Sequence, residues 1–107
     1  MTDKLQKLLT LLEVERIDKY LFIGNSPSYP PRVFGGQVLA QSLNAASRTV
    51  DAERLAHSMH AYFLRPGNPK KQIVYEVDPI RDGGSFTTRR VTAKQDGIPI
   101  FSTSVSF

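Results

Sequence analysis

The sequence predicts an α+β protein, residues 1–107 forming one domain, with a long central helix against an antiparallel sheet. A glycine pair, Gly35 and Gly36, opens a stretch of small and apolar residues that predicts a helix over residues 35–50. Short glycine-containing turns at residues 81–84 and 96–97 separate the last strand-like segments, which indicates an antiparallel meander. The strand-like segments after the helix are residues 55–64, 72–80, 85–95 and 98–107.

The first part of the chain predicts a helix and a short strand. Leucines alternate with charged residues over residues 3–16, which is typical of an amphipathic helix used in packing. Residues 19–24 have strand character. Three prolines make residues 25–31 irregular, because proline removes a backbone donor and restricts the residue before it. This irregular segment leads into the central helix.

The central helix has two sides. Polar side chains repeat at spacings of four, three and four, at Gln37, Gln41, Asn44 and Arg48. About half a turn away are the apolar residues Leu39, Leu43, Ala46 and Val50. One interpretation is a helix that packs on the sheet, with the glycines needed only for the turn. The other is a helix start whose free N–H groups meet a ligand oxygen, and the spacing leaves both open.

Composition indicates a soluble globular protein. The chain has 107 residues, of which 40% are hydrophobic and 22% charged, and no apolar run approaches the roughly 20 residues of a membrane span. It has no cysteine, which excludes a disulfide framework, a thiolate metal site and a cysteine nucleophile. Met1 to Leu5 lack the pattern of a secretion signal, so we expect a cytoplasmic protein.

The charge balance favours anionic partners. Fourteen Lys and Arg against ten Asp and Glu give a net charge of +4. Adjacent basic residues occur only at 70–71 and 89–90, a scatter that suits a small anionic ligand better than nucleic acid. The nucleic-acid alternative would need strand aromatics to stack on bases, and the candidates are Tyr62, Phe63 and Phe86.

Candidate catalytic residues are few. Residues 35–50 contain no Asp, Glu, His or Cys, so general-base chemistry from the central helix is unsupported. His57 and His60 lie on one strand at an odd separation, which points them to opposite faces and prevents joint metal binding. His57 is a weak catalytic candidate, since a histidine on a strand is more often a hydrogen-bonded structural residue. No metal site is predicted.

Three blocks of sequence together resemble one family. They are Phe34-Gly35-Gly36-Gln37, the segment from His57 to Gly67, and the segment from Arg81 to Val91. In this order and at these separations they resemble the N-terminal half of the bacterial type II acyl-CoA thioesterases, the TesB family. The resemblance covers about residues 5–107.

The resemblance implies a fold, a substrate and a location for the chemistry. Members are double hotdogs, in which each half wraps an antiparallel sheet around a long helix, here residues 35–50. The substrate is an acyl-CoA thioester and no cofactor is implied. Water is activated by an Asp, a Thr and a Gln of the second half, which this chain lacks. Substrate binding is then expected at Gly35, Gly36 and Gln37, where backbone amides would meet a carbonyl oxygen or oxyanion.

The sequence and the resemblance are compatible with two functions. The first is the N-terminal hotdog half of an acyl-CoA thioesterase, inactive or nearly so until a second half completes it. The second is a non-catalytic module that binds acyl-CoA or a fatty acyl group. A lone half leaves apolar surface uncovered, so we expect a second hotdog half or a homodimer as partner. Phe107 is still in strand register, which suggests a piece of a longer polypeptide.

Overall fold

The structure is a computed structural model that describes residues 3–27 and 32–107. Across these ranges the chain forms two helices and six strands, which confirms the predicted α+β class. In chain order the elements are α1 (Asp3–Leu12), β1 (Glu15–Asp18), β2 (Leu21–Gly24), α2 (Gly35–Ser47), β3 (Ser58–Phe63), β4 (Ile73–Asp82), β5 (Thr87–Gln95) and β6 (Ile98–Ser106).

All six strands form one antiparallel sheet in the order β1-β2-β4-β5-β6-β3. The predicted meander is confirmed, because β4 pairs with β5 and β5 with β6. At the β5–β6 turn, Asp96 and Gly97 have φ angles of 51° and 75°, the positive pair that a two-residue type I′ hairpin requires. The order places β3 at one edge of the sheet, with β6 as its neighbour.

Several predicted boundaries are wrong. The helix predicted over residues 3–16 ends at Leu12, and β1 follows as an edge strand paired with β2. The change occurs at Val14, which is buried in the core and donates its backbone N–H to Oδ1 of Asn44, at 3.1 Å. A continued helix would use this N–H internally and lose that contact. Part of the irregular segment predicted over residues 25–31 lies outside the described residues.

The later boundaries also shift. The predicted helix 35–50 ends at Ser47, because the N–H of Thr49 bonds to the Ala46 carbonyl in a tight turn, at 3.0 Å. The predicted strand 55–64 begins only at Ser58, although the His57 amide still bonds to Ser106 of β6, at 3.0 Å. The end of α2 and the start of β3 could not be read from local sequence patterns, because both depend on contacts with distant parts of the chain.

The buried side of α2 differs from the expected apolar side. Its buried residues are Gln37, Val38, Gln41, Ser42, Ala45 and Ala46. Leu39 and Leu43 are only half-buried, so the expected division into a polar side and an apolar packing side is wrong at Gln37 and Gln41. Nε2 of Gln37 donates inside the protein, and Gln41 both donates through Nε2 and accepts through Oε1. These hydrogen bonds offset the cost of removing the amide groups from water.

The core lies between α2 and the inner face of the sheet. Its fully buried strand residues include Phe22, Ile73, Tyr75, Val91 and Ala93. On the helix side, the small residues Ser42, Ala45 and Ala46 are fully buried. In the described ranges, neither helix is long and apolar enough to cross a membrane.

Candidate functional site

The first turn of α2 begins without a side-chain cap. Phe34 precedes it in an extended conformation, and its carbonyl accepts the N–H groups of Gln37, at 3.0 Å, and Val38, at 3.4 Å. The amide of Gln37 is therefore already used. Over residues 3–27 and 32–107, the structure gives no hydrogen-bond partner for the amides of Gly35 and Gly36. These two amides are the free donors at the helix start.

The Gln37 side chain points inward rather than toward an open surface. It is 5% exposed, and its Nε2 donates to the Asn25 carbonyl, at 3.2 Å, and to Oγ of Ser26, at 2.8 Å. These bonds attach the segment after β2 to the start of α2. Substrate binding at Gln37, expected from the resemblance, stays a prediction.

The start of α2 faces the end of the edge strand. A Cβ added to Gly35 would lie 3.1 Å from Cε1 of Phe63, so the absence of a side chain lets the helix approach β3. A cavity of about 350 Å³ lies beside this contact and also has Arg32 and Arg65 in its wall. The apolar residues that line it are Val33, Val38, Phe63, Leu64, Ile100 and Phe101. Gly35, one of the two residues with a free amide, thus lies in the wall of a mainly apolar cavity.

Exposed apolar side chains surround this cavity. Phe34 is 70% exposed, and a Cβ at Gly36 would meet its ring at 2.5 Å, so this glycine makes room for the phenylalanine. Phe63 is 60% exposed although its ring lies against that of Phe101, with centroids 4.9 Å apart. Neighbouring apolar residues left open to solvent are typical of a surface that another protein segment covers.

A buried hydrogen-bond network holds α2 in place. The Tyr75 hydroxyl donates to Oε1 of Gln41, at 2.5 Å, and Nε2 of Gln41 donates to the carbonyls of Leu11, at 2.8 Å, and Asn25, at 3.1 Å. Burial raises the pKa of the Tyr75 phenol far above its ordinary value, so the phenol remains a donor. Sequence reasoning missed this network, although the four-residue spacing of Gln37 and Gln41 was a signal for it.

His57 lies away from the start of α2. Phe63 is six positions further along the chain, which is about 20 Å in an extended strand. Its Nε2 is 2.9 Å from Oγ of Ser106, its ring lies 5.4 Å from that of Phe86, and the residue is exposed. No described carboxylate bonds to it, so the orienting partner that a catalytic base needs is missing from this part of the chain. The structure does not join His57 to the glycine-opened helix start.

The neighbours of His57 settle which face of β3 is inner. Met59 and Ala61 share its face and pack against the core, whereas His60 is exposed on the other face. The two histidines therefore point apart, as the odd spacing predicts. Among the described residues, no group of three or more His, Cys, Asp or Glu is arranged to hold a metal ion.

The aromatic residues of the nucleic-acid alternative do not form one platform. Tyr62 and Phe63 are consecutive in β3, so their side chains lie on opposite faces of the sheet. Phe86 contacts His57, near the opposite end of that strand. Stacking of successive bases needs rings that share one face, so this interpretation loses its structural basis.

A helix wrapped by one antiparallel sheet defines this chain as a hotdog-fold domain. A solved protein of unknown function with a hotdog fold, from Alicyclobacillus acidocaldarius, superposes with a TM-score of 0.76 at 25% identity, covering 91% of this chain and 37% of that one. The predicted hotdog fold is confirmed.

A family model, the acyl-CoA thioesterase N-terminal domain, matches residues 25–107, and the chain belongs to this family. It is 43% identical to acyl-CoA thioesterase 2 of Haemophilus influenzae over 108 residues, which covers 100% of this chain and 38% of that protein. The solved tesB protein of Mycobacterium avium subspecies paratuberculosis is 41% identical with a TM-score of 0.90, covering 96% of this chain and 42% of that one. The chain thus spans about two fifths of the length of these relatives, and the resemblance to the N-terminal half of the TesB family is confirmed.

Proposed function

We propose that this chain is the N-terminal hotdog half of an acyl-CoA thioesterase, which hydrolyses fatty acyl-CoA to a free fatty acid and CoA once a second half completes the site. One observation carries the proposal. The glycine-opened start of α2 borders an apolar cavity at the sheet edge, while α2 itself has no carboxylate, imidazole or thiol. This arrangement suits binding of a thioester and lacks the means to activate water.

Within that enzyme, the chain would supply binding surface and hydrogen-bond donors. The apolar cavity beside Phe63 suits part of an acyl chain. The amides of Gly35 and Gly36 would meet the thioester carbonyl oxygen and the oxyanion that forms from it. One such donor contributes about 3–4 kcal/mol to stabilisation of the transition state. The water-activating Asp, Thr and Gln would come from the second half, as the likeness to the TesB family implies.

The edge strand β3 is the proposed contact for the second half. In the part of the chain that the structure describes, β3 has β6 on one side and no strand on the other. Tyr62, Phe63 and Leu64, at and just after its end, are 70%, 60% and 49% exposed. An open strand edge with exposed apolar side chains favours pairing with another strand. Where no second half is present, a second copy of this chain would take its place.

The activity test compares the 107-residue chain with the longest polypeptide that its gene encodes. Thiol release from short-chain and long-chain acyl-CoA is measured for both. We expect turnover by the longer polypeptide and none above the buffer rate by the 107-residue chain. Strong hydrolysis by the purified 107-residue chain, abolished by His57→Ala, would overturn the proposal. The cytoplasmic location expected from the sequence stays a prediction that cell fractionation can test.

The non-catalytic alternative is favoured by the same lack of titratable groups on α2. Calorimetry with an acyl-CoA separates the two functions. Saturable binding with no thiol release, by the longest encoded polypeptide as well as by this chain, would favour a binding module.

Association through β3 is tested by light scattering of the 107-residue chain. We expect a dimer or larger assembly that Phe63→Lys dissociates. Ile80→Lys is the matched control, because Ile80 is a 47% exposed apolar residue on β4, and the strands β5 and β6 lie between β4 and β3. A stable monomer, or equal dissociation by both variants, would contradict pairing at β3.

A further inference from the structure

A second cavity, of about 610 Å³, lies at the other end of α2, between its last turn and the β4–β5 hairpin. The charged side chains in its wall are Arg16, Lys19, Arg48, Arg54, Arg89, Asp51 and Asp82. Cationic side chains thus outnumber carboxylates in this wall, and the cavity is a region of positive potential.

Arg89 is the buried part of this wall. It is 2% exposed, and its three nitrogens all donate: Nε to Oγ1 of Thr49, Nη1 to the carbonyls of Arg81 and Thr88, and Nη2 to the Thr49 carbonyl and to Oδ1 of Asp82. Every N–H of this guanidinium is used. The side chain of its carboxylate partner Asp82 is 66% exposed. Arg89 therefore shapes the cavity and adds charge, and it has no N–H left for a ligand.

Three other arginines are anchored but keep free donors. Nη2 of Arg16 donates to the carbonyls of Lys19 and Arg48, at 3.2 and 2.8 Å, and Nη2 of Arg54 donates to the carbonyls of Gly83 and Gly84, at 2.9 and 3.0 Å. Nη1 of Arg48 donates to the carbonyl of Val14. For the remaining N–H groups of these three side chains, the structure gives no partner over residues 3–27 and 32–107.

The positions of these cations are fixed in advance of any ligand. The guanidinium carbons of Arg16 and Arg48 lie 5.0 and 5.3 Å from the ring centroid of the buried Phe22. The Lys19 ammonium lies 5.4 Å from the Tyr20 ring, and no described carboxylate pairs with it. Like charges held together repel one another, and an anion between them removes that repulsion. Donors held in place also lose little entropy on binding.

We propose that this cavity binds a phosphate group. Guanidinium groups present paired N–H donors that match phosphate oxygens, and several cations with free donors line one cavity. The site is distinct from the start of α2, since the 13 residues of the helix span about 20 Å. The phosphate has two sources, the free inorganic ion or the nucleotide part of a CoA-type ligand. Only the second source depends on the proposed function.

The test is calorimetric titration, at constant ionic strength, with inorganic phosphate and separately with adenosine 3′,5′-bisphosphate. We expect saturable binding that Lys19→Glu weakens by about tenfold or more. Lys70→Glu is the matched control, because it makes the same charge change at an exposed residue outside the cavity. The affinity of this variant for phosphate should stay within about twofold of the parent value. Arg54→Gln serves as a second variant should Lys19→Glu unfold the protein.

The two titrations separate the sources. Much tighter binding of the bisphosphate assigns the site to a nucleotide, whereas similar affinities assign it to the free ion. Lack of saturable binding, or equal loss with the cavity and control variants, overturns the phosphate site. Thioester hydrolysis by the longest encoded polypeptide would be unaffected by that result, so a failure here is distinguishable from a failure of the proposed function.

Discussion

The Tyr75 hydroxyl donates a 2.5 Å hydrogen bond to Oε1 of Gln41, and both residues are fully buried. The bond joins β4 to α2. Through Nε2, Gln41 also contacts the end of α1 and the segment after β2. A single glutamine of the central helix therefore positions three other parts of the chain around it.

Tyr75→Phe removes the donor and leaves Oε1 of Gln41 buried without its partner. We expect the free energy of unfolding to fall by about 1–3 kcal/mol, measured by urea denaturation. Tyr62→Phe is the control, because Tyr62 is 70% exposed. This substitution should change the free energy of unfolding by less than about 0.5 kcal/mol. Equal effects of the two substitutions would show that the buried bond contributes nothing specific.

Stability should fall at alkaline pH through Tyr75. Burial raises the pKa of its phenol in the folded state, whereas the unfolded phenol ionises near pH 10. The contribution of the neutral Tyr75 phenol to the free energy of unfolding is intact below about pH 10. It is lost as pH rises toward the folded-state pKa, at up to about 1.4 kcal/mol per pH unit. Phenolate absorbance should show one tyrosine that ionises only on unfolding, and Tyr75→Phe should remove that step. Ionisation of this phenol in the intact fold would contradict the prediction.

Gly24 is required where β2 passes the Tyr75–Gln41 pair. A Cβ there would lie 2.5 Å from Oε1 of Gln41 and 2.8 Å from Cε2 of Tyr75. Gly24→Ala should therefore lower the free energy of unfolding by about 1–3 kcal/mol. A Cβ at Gly84 would meet nothing within 4 Å, so Gly84→Ala should change stability by less than about 0.5 kcal/mol. Thermal melts of both variants check the contrast, and a tolerated Gly24→Ala would refute it.

The contribution of Arg89 to stability depends more on the geometry of its N–H donors than on its charge. Arg89→Lys keeps the positive charge but cannot reproduce the five N–H donors, so several carbonyls and a hydroxyl lose partners. We expect a loss of about 2–4 kcal/mol in chemical denaturation. Asp82→Asn should cost less than about 1 kcal/mol, because the Asp82 side chain is 66% exposed. Equal losses of stability in the two variants would mean that the Arg89–Asp82 ion pair, rather than the buried N–H donors of Arg89, stabilises this part of the fold.

Gly35→Pro tests the proposed amide donors in the active, longest encoded polypeptide. Proline is tolerated at the first helical position, and Phe34 already has the extended conformation, ψ 129°, that a following proline requires. The substitution removes one N–H, and we expect kcat to fall by about 10²–10³. Gly35→Ala also adds a Cβ beside Phe63 but keeps the N–H, so its kcat should remain near that of the parent. A similar loss in both variants would point to packing instead.

Gln37→Ala separates the side chain from the backbone at the helix start. Because Nε2 of Gln37 already bonds to Asn25 and Ser26, the substitution should lower the free energy of unfolding by about 1–3 kcal/mol. In the same active polypeptide, kcat should stay within about threefold. A much larger drop in kcat, with the fold intact by circular dichroism, would assign the side chain a direct role.

Sequence by itself determined the α+β class, the start of α2 and the three-stranded meander, because glycine turns and residue periodicity act over a few neighbouring positions. The resemblance to the thioesterase family was also readable from three short blocks. Only the tertiary structure decided that Gln37, Gln41 and Arg89 are buried, that residues 15–18 form a strand, and that His57 lies far from Gly35. The physical reason is that a polar side chain is buried only where distant parts of the chain supply its hydrogen-bond partners, and those partners are known only once the chain is folded.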